Sequence, residues 1–227
     1  MEYSSILKHA RIFEQLSATQ MAEALTLLHP VKKSFAKGDV LIWDGRKVDH
    51  CFLLLEGTCA ANKLYADGRT SLILKFVPSY IIGADISATK TRISTYYVTA
   101  LQDCVVYEFP YDRLAKRGIL PEDIRLLMMD SLLALIAGEN IRKMNKIEII
   151  SRTGLRDRVL TFLSMQCSFY QSKEFDIPFS REEMAEYLCV NRSKLSHELS
   201  LMQQEGLITY HRNHFKVLTA QLYFHAE

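Results

Sequence analysis

Cysteine is scarce in this sequence and follows no recognisable disulfide or metal-binding pattern. The five cysteines stand at positions 51, 59, 104, 167 and 189, and no two of them form a C-x-x-C pair. An odd, dispersed set of this kind is typical of reduced thiols in a cytosol rather than of the disulfide framework of a small secreted domain. The sequence therefore predicts a cytoplasmic protein with free cysteines.

Long apolar runs are absent as well. No stretch is long enough to span a bilayer, and residues 1–7 lack the basic start and apolar core of a secretion signal. The formal net charge is only +2, so the overall composition gives no sign of a polyanion binder. Hydrophobic and charged fractions of 48% and 24% are ordinary for a globular protein, and 227 residues allow one large or two small domains. We expect no membrane partner.

The residue groupings that enzymes use are also missing. His9, His29 and His50 do not have the spacing of metal ligands. No Ser-His-Asp grouping, phosphate loop or paired-carboxylate motif stands out either. The sequence therefore predicts no catalytic residue, no metal site and no enzymatic activity.

The most informative segment spans residues 180–202 and is predicted to form two short amphipathic helices joined by a tight turn. Ser180 and Glu183 form a capping box at the start of the first helix, and Asn191 is placed to cap the second. The apolar positions expected to be buried are Met184, Ala185, Leu188, Leu195, Leu199 and Met202. A helix-turn-helix reads DNA with the N-terminal part of its second helix. The predicted DNA-binding residues of this helix are Asn191, Arg192, Ser193, Lys194, Ser196 and His197.

The residues that follow predict a β-hairpin. A helix is predicted to end at Gly206, within residues 205–208, and a strand to follow it. In residues 209–218, apolar and polar side chains alternate on both sides of a polar tip, as in a hairpin. A helix-turn-helix followed by a hairpin makes a winged helix, whereas the helix pair alone also occurs in many small helical domains. The wing residues predicted to contact DNA phosphates are His211, Arg212 and His214.

The first half of the chain has a different pattern. Residues 5–30 are predicted to form one or two helices, which end at Pro30. From residue 31 to about residue 108, short apolar strands alternate with turns that contain glycine. Strands of this length and spacing favour a barrel or jelly roll over βαβ units.

A long helical pattern runs from Pro121 to about residue 150. At 1.5 Å per residue such a helix is about 40 Å long, which is more than one small domain covers. Two arrangements are predicted, alone or together: the helix packs along the barrel, or it pairs with the same helix of a second copy in a dimer. The seam predicted to face a second copy contains several small residues and comprises Leu127, Ser131, Ala134, Gly138, Ile141 and Asn145.

A β-roll, a long helix and a winged helix in this order resemble the Crp/Fnr family of bacterial transcription regulators over nearly the whole chain. The residues that carry the resemblance are 35–45, 51–57, 67–68, 82–83, 190–192 and 205–208. The resemblance implies an α+β architecture, with a double-stranded β-helix or jelly-roll effector domain at 1–118, a dimerisation helix at 119–150 and a winged helix-turn-helix domain at 151–227. It also implies a cytoplasmic homodimer that binds a two-fold related site on double-stranded DNA. Such a dimer recruits or obstructs RNA polymerase, often under the control of a small-molecule effector.

The predicted effector pocket departs from the family's cyclic AMP site. Members that bind cyclic AMP carry Gly-Glu-Leu late in the roll, where this chain has Gly83-Ala84-Asp85, and an Arg-Ser or Arg-Thr about ten residues later, where it has Ser94-Thr95. The glutamate that binds the ribose and the arginine that binds the phosphate are thus both replaced. Arg92 lies two residues before the position of the family's arginine. We therefore expect an effector other than cyclic AMP. The predicted pocket residues are Gly83, Ala84, Asp85, Thr95, Tyr96 and Tyr97.

No cofactor is predicted. Oxygen-sensing members of the family hold an iron–sulfur cluster on cysteines near the N-terminus, and this chain has none before Cys51. The pair His50-Cys51 leaves haem open as an alternative, although an isolated His-Cys pair is usually structural. Cys189 stands where the family usually has glycine, and it is interpreted either as a small buried residue or as a redox switch.

The family's reading helix begins with an arginine, which Arg192 matches and which can bind a guanine edge. Ser193 replaces the family's glutamate and His197 its later arginine, so the half-site sequence is expected to differ. The leading interpretation is therefore a DNA-binding transcription factor. The alternative is a β-roll that binds a small molecule and whose helical C-terminal domain contacts other proteins without DNA.

Overall fold

The computed structural model describes residues 4–66, 68 and 70–219. The chain forms two compact units, Met1–Ile141 and Arg142–Glu227. Asp67, which belongs to one of the family-like motifs, lies outside the described residues. None of the helices in the described part combines the length and the apolar character that a bilayer-spanning segment requires.

The first unit is built around a β-roll of two antiparallel sheets. Its strands among the described residues are β1 (Val31–Phe35), β2 (Val40–Ile42), β3 (His50–Glu56), β4 (Cys59–Leu64), β5 (Thr70–Phe76), β6 (Ile81–Ile82), β7 (Tyr97–Ala100) and β8 (Cys104–Pro110). The strand order is β1-β8-β3-β6 in one sheet and β2-β7-β4-β5 in the other. The predicted jelly roll is confirmed.

Residues 51–55 of β3 are apolar because they contribute to two cores. Successive side chains of a strand point to opposite faces. Leu53 therefore packs among the helices of the unit, while Leu54 packs inside the roll. With both faces covered, every residue from Cys51 to Leu55 is buried, which is the reason for the continuous apolar run in the sequence.

Gly57 allows two turns at one end of the roll to touch. It follows β3 with a φ of +85°, and a Cβ atom added there would lie only 2.3 Å from the carbonyl oxygen of Asp103. A side chain at this position is therefore excluded both by the backbone conformation and by the neighbouring turn.

We expect Gly57→Ala to lower the free energy of unfolding by roughly 2–5 kcal/mol, because left-handed strain and overpacking add. Gly38→Ala is a matched control, since Gly38 has a φ of +94° but nothing within 4 Å of an added Cβ. The control should cost only about 1–2 kcal/mol. Urea unfolding of both variants measures the difference, and equal losses would contradict the close approach at Asp103.

Helices precede, interrupt and follow the strands of the roll. They are α1 (Ser4–Lys8), α2 (Ala18–Leu28), α3 (Ala84–Ser87), α4 (Tyr111–Ala115) and the long α5 (Glu122–Ser151). The first-unit core takes in the apolar side chains of α5 at Ile124, Met128, Leu132 and Leu135. The long helix thus begins directly after Pro121, as predicted, and one of its faces packs into the core of the first unit.

The second unit contains the predicted winged helix. Its elements after α5 are α6 (Leu155–Tyr170), β9 (Glu174–Asp176), α7 (Arg181–Tyr187), α8 (Arg192–Gln204), β10 (Ile208–His211) and β11 (His214–Val217). The apolar positions predicted for the helix pair are all buried in one core. The sheet order is β10-β11-β9, so the predicted hairpin gains a third strand, β9, that the sequence did not indicate.

Candidate DNA interface and effector pocket

Local hydrogen bonds build the turn between α7 and α8. At the start of α7, Ser180 Oγ accepts from the Glu183 backbone N–H at 3.2 Å, and Glu183 Oε2 accepts from the Ser180 N–H at 2.6 Å, which forms the predicted capping box. At the start of α8, Asn191 Oδ1 accepts from the Ser193 N–H at 2.8 Å. These bonds fix where each helix begins and hence the direction in which the first side chains of α8 project.

Cys189, in the turn itself, has a positive φ of 55°. Its side chain is exposed, so the interpretation of Cys189 as a small buried residue is wrong. The turn needs a left-handed backbone at this position rather than a small volume, which also explains why glycine suits it.

The helix α8 divides its side chains between a buried face and an open one. Leu195, Leu199 and Met202 are fully buried, so the opposite side of the helix projects away from the unit. Ser196 is half-buried between the two faces. The predicted DNA-binding residues of α8 and its cap that are exposed are Asn191, Arg192, Ser193, Lys194 and His197.

Two further residues of the open face, Ser200 and Gln204, were missed from the sequence. They continue the line of Ser193 and His197 at helical spacing, and all four are exposed. Ser200 Oγ also lies 3.4 Å from the hydroxyl of Tyr210 in β10, which brings α8 next to the wing. The i, i+4, i+7 spacing was the signal that could have found them.

Arg192 is only loosely held. Its Nε lies 3.8 Å from Glu182 Oε2, and the two side chains are 65% and 70% exposed. An exposed pair of this kind contributes about 0–1 kcal/mol. The guanidinium can therefore leave Glu182 for a base edge or a phosphate at little cost.

Arg156 of α6 contacts α8 and its C-terminal cap. Its Nε donates to Glu198 Oε1 at 2.6 Å, and its two Nη atoms donate to the two carboxylate oxygens of Glu205, each at 2.8 Å. These contacts lower the pKa of Glu205. One cation thus orients the helix and also neutralises two carboxylates close to it.

Arg181 of α7 holds the wing. Its guanidinium lies 5.0 and 5.5 Å from the ring centroids of Tyr210 and Phe215. Its Nη2 donates to the carbonyl oxygen of Arg212 at 2.9 Å. Arg212 and His211 are exposed at the wing tip, where a phosphate contact would need them.

His214, the third predicted wing residue, is already engaged by two carboxylates. Its Nε2 lies 3.2 Å from Glu174 Oε1, and its Nδ1 lies 3.1 Å from Asp176 Oδ1. Lys216 Nζ also contacts Glu174 at 3.0 Å. These carboxylates come from β9, the strand that the sequence did not predict, and they raise the pKa of His214 above its ordinary value of 6.5.

We expect a proton NMR titration of His214 to give a midpoint above that of a free histidine. The stabilisation from this cluster should be fully present below the ordinary pKa and lost as the pH rises through the raised pKa, because the carboxylates bind the imidazolium. The double variant Glu174→Gln, Asp176→Asn should return the midpoint towards 6.5. An unchanged midpoint in that variant would show that the carboxylates do not act on His214.

The predicted effector residues lie at α3 and at the start of β7. Tyr96 is buried, and its hydroxyl donates to both carboxylate oxygens of Asp85 at 2.9 Å. Burial, together with the Asp85 carboxylate, raises the pKa of Tyr96. Thr95 is exposed and its carbonyl oxygen accepts from Lys63 Nζ at 2.6 Å, while Tyr97 is half-buried. The tyrosine–aspartate bond therefore ties α3 to β7 without a ligand.

At the positions that correspond to the family's cyclic AMP site, the polar groups are missing or already engaged. Ala84 has no side-chain acceptor for a ribose, and the Ser94 hydroxyl is used in a hydrogen bond to a backbone carbonyl 2.5 Å away. Arg92 donates to Asp49 Oδ1 at 3.0 Å and to Asp112 Oδ1 at 2.6 Å. These bonds lower the pKa values of both aspartates and engage the guanidinium in two ion pairs.

The side chains of His50 and Cys51 cannot both bind the iron of one haem. The two residues are neighbours on β3 and point to opposite faces, with His50 exposed and Cys51 fully buried. Burial raises the pKa of the Cys51 thiol. Within the described residues, no three His, Cys, Asp or Glu side chains lie together as a metal site would require.

The dimer seam predicted on α5 is uneven in exposure. Ser131 is buried, and its Oγ accepts from Gln15 Nε2 at 3.3 Å. Its own unit covers Ser131, while the seam as a whole stays a prediction. Leu127 and Gly138 are half-buried, and the exposed members of the seam are Ala134, Ile141 and Asn145.

Two family models match the chain. The cyclic nucleotide-binding domain matches residues 32–117, which hold most of the β-roll. The Crp-like helix-turn-helix domain matches residues 157–221, which hold α7, α8 and the wing.

Known proteins of similar sequence and fold give the same result. The transcriptional activator protein FnrL of Cereibacter sphaeroides is 24% identical over 209 residues, which cover 87% of this chain and 81% of that protein. Two solved structures share the fold. FixK2 from Bradyrhizobium japonicum has a TM-score of 0.64 at 18% identity over 87% of this chain and 99% of its own. The c-di-GMP responsive global regulator CLP of Xanthomonas campestris has a TM-score of 0.69 at 14% identity over 90% and 100%.

The two matched domains, the relatives and the geometry of α8 agree with one another. The matched domains and the relatives belong to DNA-binding transcription factors, which are not enzymes. This chain belongs to the Crp/Fnr family of transcriptional regulators, with a cyclic nucleotide-binding domain and a Crp-like helix-turn-helix domain.

Proposed function

We propose that two copies of this chain pair through α5 and bind a two-fold related DNA site with the open faces of their α8 helices. The observation that carries this is the exposure of Arg192, Ser193 and His197 on a helix whose opposite face is fully buried. In the bound dimer the two helices would enter major grooves about 34 Å apart, one turn of the duplex. RNA polymerase is the partner that such a dimer would recruit or obstruct.

Direct reading of bases falls to a few side chains. Arg192, at the first turn of α8, can bind a guanine edge through two hydrogen bonds. Ser193 and His197 are shorter or weaker donors, and they would select a half-site different from the one read by glutamate and arginine. Asn191, Lys194, His211 and Arg212 would contact phosphates and fix the register of the protein on the duplex.

Pairing of two copies is supported by an apolar face of α5 that its own chain leaves open. Its large side chains have exposed fractions between 53% and 67%, and they are Leu126, Leu133, Ile141, Met144 and Ile147. They recur at helical spacing along one helix, as a helix–helix interface requires. Exposed apolar rows of this kind are typical of interaction sites.

The effector of the β-roll, in this proposal, is not cyclic AMP. The acceptor for a ribose is missing at Ala84, Arg92 near the family's phosphate position is held by Asp49 and Asp112, and the Tyr96 hydroxyl is hydrogen-bonded to Asp85. An effector would have to prefer one arrangement of the dimer over another in order to change DNA binding.

Selection of bound duplexes from random or genomic DNA, followed by fluorescence anisotropy at several salt concentrations, tests this function. We expect a palindromic consensus and an affinity that falls steeply with salt, because lysine and arginine contacts release counterions. If no duplex is retained at low salt, the chain is instead a small-molecule-binding β-roll whose second unit contacts proteins. Cyclic AMP in the same assay is expected to leave the affinity unchanged.

A further inference from the structure

Two cysteines in the β-roll lie close enough to react with each other. The Sγ atoms of Cys59 and Cys104 are 3.5 Å apart, and both residues are almost completely buried. Cys59 begins β4 and Cys104 begins β8, so the two thiols belong to different sheets of the roll.

The backbone around the two thiols is already fixed at close range. The turns that precede β4 and β8 contact each other through the backbone N–H of Leu101, which donates to Thr58 O at 2.8 Å. The Gln102 side chain donates to Thr58 Oγ1 at 3.0 Å, and Gly57 lies against Asp103. A disulfide has an S–S length of about 2.05 Å, so the sulfurs need to move only about 1.5 Å towards each other.

The two thiols are chemically unequal. Burial raises the pKa of Cys59, and its hydrogen bond to Cys104 raises it further. Burial also raises the pKa of Cys104, but its hydrogen bond with Cys59 and a hydrogen bond with the Thr58 backbone oppose that rise. Because the thiolate is the nucleophile, Cys104 is the thiol of this pair that attacks first.

We propose that Cys104 and Cys59 form a reversible disulfide when the protein meets hydrogen peroxide, which makes this end of the β-roll a dithiol oxidation site. The Cys104 thiolate attacks one peroxide oxygen, the O–O bond breaks, and a sulfenic acid forms while hydroxide takes up a proton and leaves as water. The Cys59 sulfur then attacks the Cys104 sulfur, the S–O bond breaks, and a second water leaves. The two sulfurs lose two electrons in total, and the peroxide gains them.

The new bond would join the sheet of β4 to the sheet of β8. It would hold together the two turns that now meet only through hydrogen bonds, and it would lower the conformational entropy of the unfolded chain. A thiol reductant reverses the bond by exchange. This chemistry is separate from DNA binding and is measured without DNA.

The test treats the full-length Cys189→Ser protein with hydrogen peroxide, so that the exposed thiol does not interfere. We expect the intact mass to lose two hydrogens and two thiols to become protected from alkylation in denaturant, with peptide mapping linking Cys59 to Cys104. Dithiothreitol should restore both thiols. Peroxide treatment that leaves both thiols free to alkylate, or that oxidises one of them to a sulfinic acid without a bond, would overturn the proposal.

Single variants in the Cys189→Ser background distinguish the thiol that attacks the peroxide from the thiol that closes the disulfide. Cys59→Ser should leave Cys104 as a sulfenic acid that dimedone labels, whereas Cys104→Ser should abolish both the label at this site and the bond. Cys51→Ser and Cys167→Ser are matched controls, because both cysteines are buried but lie outside the pair, and these variants should retain the disulfide. Circular dichroism confirms that each variant is folded, and a bond that persists in Cys59→Ser or Cys104→Ser would assign the oxidation elsewhere.

Discussion

Arg192→Ala is expected to reduce specific DNA binding by roughly 10- to 100-fold for each half-site, since a bidentate contact to guanine is worth about 1–3 kcal/mol. A dimer carries two copies, so binding to the full site should fall to the level of random duplex. The change removes only a loosely held surface side chain, because the pair with Glu182 is exposed and long. Its effect on the stability of the second unit should therefore be small.

Anisotropy on the selected site and on a shuffled duplex measures this loss. Arg212→Ala is the matched control, since an exposed wing arginine that contacts phosphate should weaken both duplexes alike. Light scattering should give the same mass for all three proteins. If Arg192→Ala still prefers the selected site as strongly as the parent, α8 is not the reading helix.

Leu133→Glu is expected to convert the proposed dimer into a monomer. Leu133 is the most exposed of the apolar residues on the open face of α5, at 67%, and burial of a leucine contributes about 1.5–3 kcal/mol. In a two-fold interface the variant would lose this contribution twice and would also bury two carboxylates. Since a monomer reaches only one half-site, affinity for the full site should fall by more than 100-fold, or about 3 kcal/mol.

Size-exclusion chromatography with light scattering gives the mass directly. Leu64→Glu is the control, because Leu64 is 55% exposed on the β-roll and lies outside α5. It should leave both the mass and the DNA affinity unchanged. A dimeric Leu133→Glu protein would move the interface away from the open face of α5.

The reading helix could be predicted because its signals are local. The capping box at Ser180 and Glu183, the cap at Asn191 and the apolar spacing act within a few residues of one another, and the structure has all of them. The parts that the sequence did not indicate depend on distant partners. Arg156 reaches Glu198 and Glu205, more than 40 residues away, and the strand β9 is too short and polar to have a strand pattern of its own.

The dimer seam shows another limit of sequence patterns. Several faces of α5 carry apolar or small residues, and spacing alone does not show which of them the chain's own core covers. The core takes the face of Ile124, Met128 and Leu132 and covers Ser131 with it. The open face is therefore displaced from the predicted seam, and only Ile141 is common to both.

The double burial of β3 also determines how the first unit comes apart. A strand whose Leu53 belongs to the helical layer and whose Leu54 belongs to the roll interior cannot be released from one without disturbing the other. Helices and roll should consequently melt in a single cooperative transition, with no stable intermediate that retains the sheets alone. Amide exchange along β3 would then report the global free energy of unfolding of that unit.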